Sequence, residues 1–196
     1  MTLEQQLTIQ QAVKLAMQYH SAGELPKAQS MYQQILNTDA NQPDALHMLG
    51  VIAHQVGKSD VAAELIRKAV TIKPDYAEAY CNLGNALKEL GQLKEAEKSY
   101  RRSIELKPAF AHAHCNLGVL LQETGRMKEA EKSCRLTLEL NPEFFDAQNN
   151  LSSVLIETGR LKDAGQSCRR TLELNPDFAH AHSNLGVVLL QTGQLK

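Results

Sequence analysis

No stretch of the 196-residue sequence approaches the ~18 consecutive apolar residues that a membrane-spanning helix requires. The N-terminus MTLEQQLTIQQ also lacks the basic and apolar segments of a secretory leader, so the cytoplasm is the expected compartment. Neither sign of charge is in excess, because 21 Lys and Arg are interspersed with 22 Asp and Glu. That leaves no basic stripe to neutralise a phosphate backbone, and nucleic acid is not an expected partner. The four cysteines, Cys81, Cys115, Cys134 and Cys168, form no CxxC pair, which removes the zinc and thioredoxin patterns. GxSxG, P-loop, HExxH and Rossmann glycine motifs are missing too. The chain as given is therefore not read as an enzyme, and no cofactor or metal is expected.

What is present is a repeat. The phrase AHAHCNLG at 111–118 returns as AHAHSNLG at 179–186, with AEAYCNLG and FDAQNNLS in the same register. Gly23, Gly57, Gly91, Gly125, Gly159 and Gly193 stand 34 residues apart. Leu15, Leu49, Leu83, Leu117, Leu151 and Leu185 keep that step, as do Pro74, Pro108, Pro142 and Pro176. A fixed period of this length signals a stacked array.

Within 77–110, apolar residues recur at helical spacing: Tyr80, Leu83, Leu87 and Leu90, then Leu93, Ala96, Tyr100 and Ile104. Two amphipathic helices are expected. Gly91 ends the first, as the residue that takes a left-handed conformation without steric cost, and Pro108 ends the second. Gly84 and Ala96 are expected to let the paired backbones approach closely. The hairpins bury together what one alone would expose.

The pattern Leu83-Gly84, Gly91, Ala96, Tyr100, Pro108 resembles the tetratricopeptide repeat over nearly the whole chain. The resemblance implies an all-α fold, a right-handed α-solenoid of stacked helical hairpins. One array over 1–196 follows, with repeats at 9–42, 43–76, 77–110, 111–144 and 145–178 and a half-repeat at 179–196. Residues 1–8 are expected to extend the first helix. The first repeat diverges as a capping unit does, with Lys14, Ala16 and Ala40 off pattern and Pro26 in the first turn of its second helix.

The family lines its concave groove with positions 2, 5, 6, 9, 12 and 13 of each repeat. At position 6 stand Lys14, Met48, Asn82, Asn116, Asn150 and Asn184. A carboxamide offers one acceptor and two donors, the complement of a peptide group, so four successive asparagines can hold a backbone without reading its side chains. A similar ladder marks the tetratricopeptide superhelix of O-linked N-acetylglucosamine transferases. The alternative is an asparagine that bonds to the neighbouring hairpin. Further peptide-contact candidates are His112, His180, Asn85 and Asn149. Position 5 reads Val13, His47, Cys81, Cys115, Asn149 and Ser183, so the carboxylate clamp of chaperone-binding relatives is absent.

His112 with His114, and His180 with His182, lie ~200° apart around a helix and cannot chelate one ion from it. His114 and His182 are expected to be packed and hydrogen-bonded. Cys134 and Cys168 replace Tyr100 at a buried position, and Cys81 and Cys115 lie too far apart for the ~7 Å disulfide limit.

The expected function is a protein-interaction scaffold that binds an extended polypeptide. The alternative is the substrate-recruiting arm of a larger enzyme, such as a bacterial O-linked glycosyltransferase. Leu185, Val188 and Leu189 lack the second helix that earlier repeats supply, which suggests a fragment of a longer protein or self-association through the C-terminal helix.

Overall fold

A computed structural model of the chain describes residues 8–194, and among these it contains eleven α-helices and no strand. Contacts divide the chain into two compact units, Met1–Leu106 and Lys107–Lys196. The first unit holds α1 Ile9–Ser21, α2 Leu25–Thr38, α3 Pro43–Gln55, α4 Ser59–Ile72, α5 Ala77–Glu89 and α6 Leu93–Leu106. The second holds α7 Ala111–Glu123, α8 Met127–Leu140, α9 Phe145–Glu157, α10 Leu161–Leu174 and α11 Ala179–Gln191. Each odd-numbered helix starts at the first position of a 34-residue repeat, and each even-numbered one is its antiparallel partner.

The local causes are those expected. Gly91 takes φ +71° after α5, and the Gln92 amide donates back to the Leu87 carbonyl (2.9 Å), closing the last turn. Pro26 stands in the first turn of α2. Two details differ. Thr8 does not extend α1 but caps it: its hydroxyl accepts from the Gln11 amide, and the Gln11 side chain accepts from the Thr8 amide. The remainder of the expected extension lies outside the described residues. Leu90 is an exposed C-cap residue rather than part of the buried stripe.

The buried stripes meet inside each hairpin. In α5 and α6 these are Leu83, Leu87, Ala96 and Tyr100. The space above Gly84 is filled by an aromatic ring: a Cβ built there would lie 2.5 Å from Tyr100 Cε1. Gly50 makes the corresponding room for Ile66 and for the Ala62 carbonyl. Gly118 faces the smaller Cys134, and in the next repeat Ser152 and Cys168 occupy these positions, both fully buried. Gly50 and Gly84 thus face the large Ile66 and Tyr100, whereas Gly118 and Ser152 face cysteines, so each hairpin packs with its own pair of side chains.

Tyr32 is the one exception in this set. The Tyr100 hydroxyl donates to Asn85 Oδ1 (2.8 Å), but in the first repeat the position equivalent to Asn85 is Met17. The buried Tyr32 hydroxyl has no hydrogen-bond partner among the described residues, and burial pushes its pKa up to about 12. An unpaired buried hydroxyl costs ~1–3 kcal/mol. Tyr32→Phe is therefore expected to melt at the same temperature as the parent or above it, whereas Tyr100→Phe, which strands Asn85, melts lower. Paired thermal melts check both.

The C-terminal helix is less bare than expected. Val188 is buried, 4% exposed, because it seats on Gly165 of α10, whose absent side chain leaves it room. It joins Cys134, Leu151, Leu155 and Ala164 in one cluster. Leu185 and Leu189 are half-buried, and Leu190 is the exposed residue at 67%. No helix among the described residues is long and apolar enough to cross a membrane.

Candidate functional site

Within each unit, the first helices of successive hairpins touch: α1 with α3, α3 with α5, α7 with α9, and α9 with α11. The second helices of successive hairpins make no such contact among the described residues. Each unit therefore curves with its first helices on the inner side, and position 6 lies on those helices.

In the first unit, Asn82 is half-buried on α5 and its Nδ2 donates to His47 Nε2 of α3 (2.8 Å). With that nitrogen accepting, the His47 Nδ1–H donates to the Tyr76 hydroxyl (2.9 Å). Burial and the nearby Asp44 carboxylate push the Tyr76 pKa up, and the Lys73 ammonium lies 4.3 Å from the centre of the Tyr76 ring. Burial lowers the His47 pKa to about 4, against the opposing pull of Asp44 and Glu78. The imidazole is thus neutral at neutral pH, as this arrangement needs.

The second unit repeats the contact with other residues. Asn150 Nδ2 on α9 donates to the Cys115 sulfur of α7 (3.6 Å). Asn184 Nδ2 on α11 donates to Asn149 Oδ1 (3.1 Å), Ser152 Oγ (3.1 Å) and Ser153 Oγ (3.0 Å) of α9. Asn116 holds the same position on α7, half-buried. In all three resolved contacts a position 6 amide nitrogen reaches the position 5 residue of the preceding hairpin: His47, Cys115 and Asn149. Burial pushes the Cys115 thiol up to about 11, so it stays protonated and serves as a weak acceptor rather than a nucleophile.

The other candidates separate by surroundings. Asn149 is buried and holds Asn184, and Asn85 accepts from Tyr100. Exposed His112 stands edge-on to Phe144, ring centres 5.0 Å apart, with Phe110 at 5.8 Å. Exposed His180 leans on Phe178 at 5.5 Å. His114 is buried with Nε2 donating to the Pro108 carbonyl (2.8 Å). His182 makes the same bond to Pro176 (2.7 Å) but is exposed. The four cysteines are buried and form no disulfide, and no cluster suited to a metal ion occurs among the described residues.

Charge is partitioned between the helices. In the second unit α7, α9 and α11 carry Glu123, Asp146 and Glu157 and no lysine or arginine. The basic residues of its helices, Lys128, Lys132, Arg135, Lys162, Arg169 and Arg170, are all on α8 and α10.

Hairpins of this length, glycine-ended and stacked with first helices inward, define a helical-repeat protein. Models of the tetratricopeptide repeat match residues 54–91, 84–125, 111–144 and 137–177, and the chain belongs to that family. Its fold is that of a protein–protein interaction scaffold. The protein in the crystal structure of MamA is 24% identical, with TM-score 0.72, over 84% of this chain and 96% of that one. YrrB, described as a TPR protein with an unusual peptide-binding site, is 22% identical, with TM-score 0.70, over 94% of this chain and 91% of its own. PilF of Pseudomonas aeruginosa is 19% identical, with TM-score 0.80, over 95% and 91% respectively. No curated protein matches the sequence.

Proposed function

We propose that the chain holds an extended polypeptide against its inward-facing first helices, with the position 6 asparagines as the grip. The observation that carries this reading is the shared orientation of Asn82, Asn150 and Asn184. Each is anchored by its amide nitrogen to the preceding hairpin, and its carbonyl oxygen bonds to no described residue. An anchored carboxamide is pre-organised, so less rotamer entropy is lost when a ligand binds. Packed helices stand ~8–10 Å apart and an extended chain rises ~3.3 Å per residue, so successive asparagines on α7, α9 and α11 suit every third residue of a strand. The unbroken 34-residue register supports reading the chain as one array, and the peptide-binding site named for YrrB is a parallel. Asn116 and the exposed His112 and His180 complete the contact surface proposed for the second unit.

The test is Asn150→Ala with Asn184→Ala, read by anisotropy of fluorescein-labelled unstructured peptides of unrelated sequence and by thermal melting. Two lost hydrogen-bond sets, ~1 kcal/mol each, weaken binding about thirtyfold. Stability falls as well, since Asn149 loses the group that bonds it. A melting temperature that drops while affinity is unchanged would assign the column a purely structural role.

A further inference from the structure

The asparagines do not offer both halves of the carboxamide equally. Three acceptors of α9 surround the Asn184 nitrogen, and the Asn150 nitrogen is turned to Cys115. What remains toward a ligand is chiefly carbonyl oxygen. The same wall carries Asp146 in the first turn of α9, with Glu123 and Glu157 as the last residues of α7 and α9. Helix C-termini carry partial negative charge of their own, and neither α7, α9 nor α11 has a basic residue in its last turn. Acceptor oxygens, carboxylates and helix C-termini thus share one sign across the second unit's first helices, while the helical cations stand on α8 and α10 and the turn residues Arg126 and Arg160 are ion-paired to Glu129, Glu131 and Asp163 of those same helices.

We infer that the first-helix wall of residues 107–196 selects an extended peptide bearing lysine or arginine, its backbone N–H groups meeting Asn150 and Asn184 and its cationic side chains directed to the Glu157 end of the helices. This rests on the peptide-binding reading above. An acidic strand meets like charge there and has no lysine or arginine on α7, α9 or α11 to pair with, so charge works as a filter against it.

The experiment uses the full chain and two labelled peptides of one backbone, one with lysine and one with glutamate at alternate positions, titrated at low and high salt. The lysine peptide is expected to bind about tenfold or more tightly, with the gap closing as salt screens it. Glu157→Lys is expected to remove most of that preference. Glu157→Gln, which keeps the bond accepted from Gln122, is expected to remove part of it and guards against misfolding. Equal binding of both peptides, still lost on Asn150→Ala with Asn184→Ala, overturns the charge selection and leaves the asparagine grip standing. A preference for lysine that ignores Glu157 overturns it also, since the attraction then lies elsewhere. Peptide binding indifferent to the asparagines overturns the grip and this inference with it.

Discussion

Gly84→Ala is expected to be among the most damaging single-methyl additions to this chain. The new Cβ would sit 2.5 Å from Tyr100 Cε1. The ring is fully buried and its hydroxyl is tied to Asn85, so it cannot swing clear. Overpacking of this kind costs ~1–3 kcal/mol, and the upper end applies despite the ~1 kcal/mol that alanine gains over glycine in a helix. The melting temperature should fall by roughly 5–10 °C. Gly118→Ala is the control: its Cβ meets Ser133 Cβ at 3.3 Å and the Cys134 sulfur at 3.4 Å, a fit that small adjustments relieve. Equal melting of parent and Gly84→Ala would mean that the ring is not seated there.

The second large effect is acid-induced. His47 titrates at about 4 in the folded chain because it is buried, against ~6.5 when unfolded. Between these values the unfolded state binds a proton that the folded state refuses, so stability is intact above the unfolded value and declines as pH falls toward 4. By linkage the loss reaches about 3 kcal/mol at the bottom of the window. Denaturant titrations at neutral pH and near pH 4 should show this drop in the parent. They should show a much smaller one in His47→Gln, whose amide can still accept from Asn82 and donate to Tyr76. A parallel decline in both proteins would assign the acid sensitivity to other groups.

How much was legible in the sequence follows from the range of each interaction. Helix ends were readable because the signals are local: Gly91 beside the last turn of α5, Pro26 inside the first turn of α2. The His114 bond was foreseen as a packed imidazole, since its partner Pro108 is only six residues away. Thr8 was missed although its capping partner Gln11 is adjacent, because the apolar pattern was extended past a residue whose hydroxyl prefers to stop a helix. The seat of Val188 on Gly165 depends on two helices meeting, and no single column announces it.

The asparagine column was visible, its wiring was not. Each amide nitrogen bonds 35 residues back, and the receiving residues, His47, Cys115 and Asn149, share no chemistry except the ability to accept. A periodicity search finds identical residues, and these acceptors are not identical. Asn85 was a peptide-contact candidate and Gly84 was expected to let backbones approach, but both answer to Tyr100 on the facing helix, which sequence spacing does not announce.

That wiring has a consequence for how such a chain can grow or shrink. Because His47, Cys115 and Asn149 at position 5 each accept from the position 6 asparagine of the next hairpin, these three joints are alike in form although their acceptors differ. Excising 145–178 in one piece would bring Asn184 opposite Cys115, the partner Asn150 already uses. Gene duplication or deletion in whole 34-residue steps therefore keeps position 6 in register with position 5, whereas a change of any other length shifts that register.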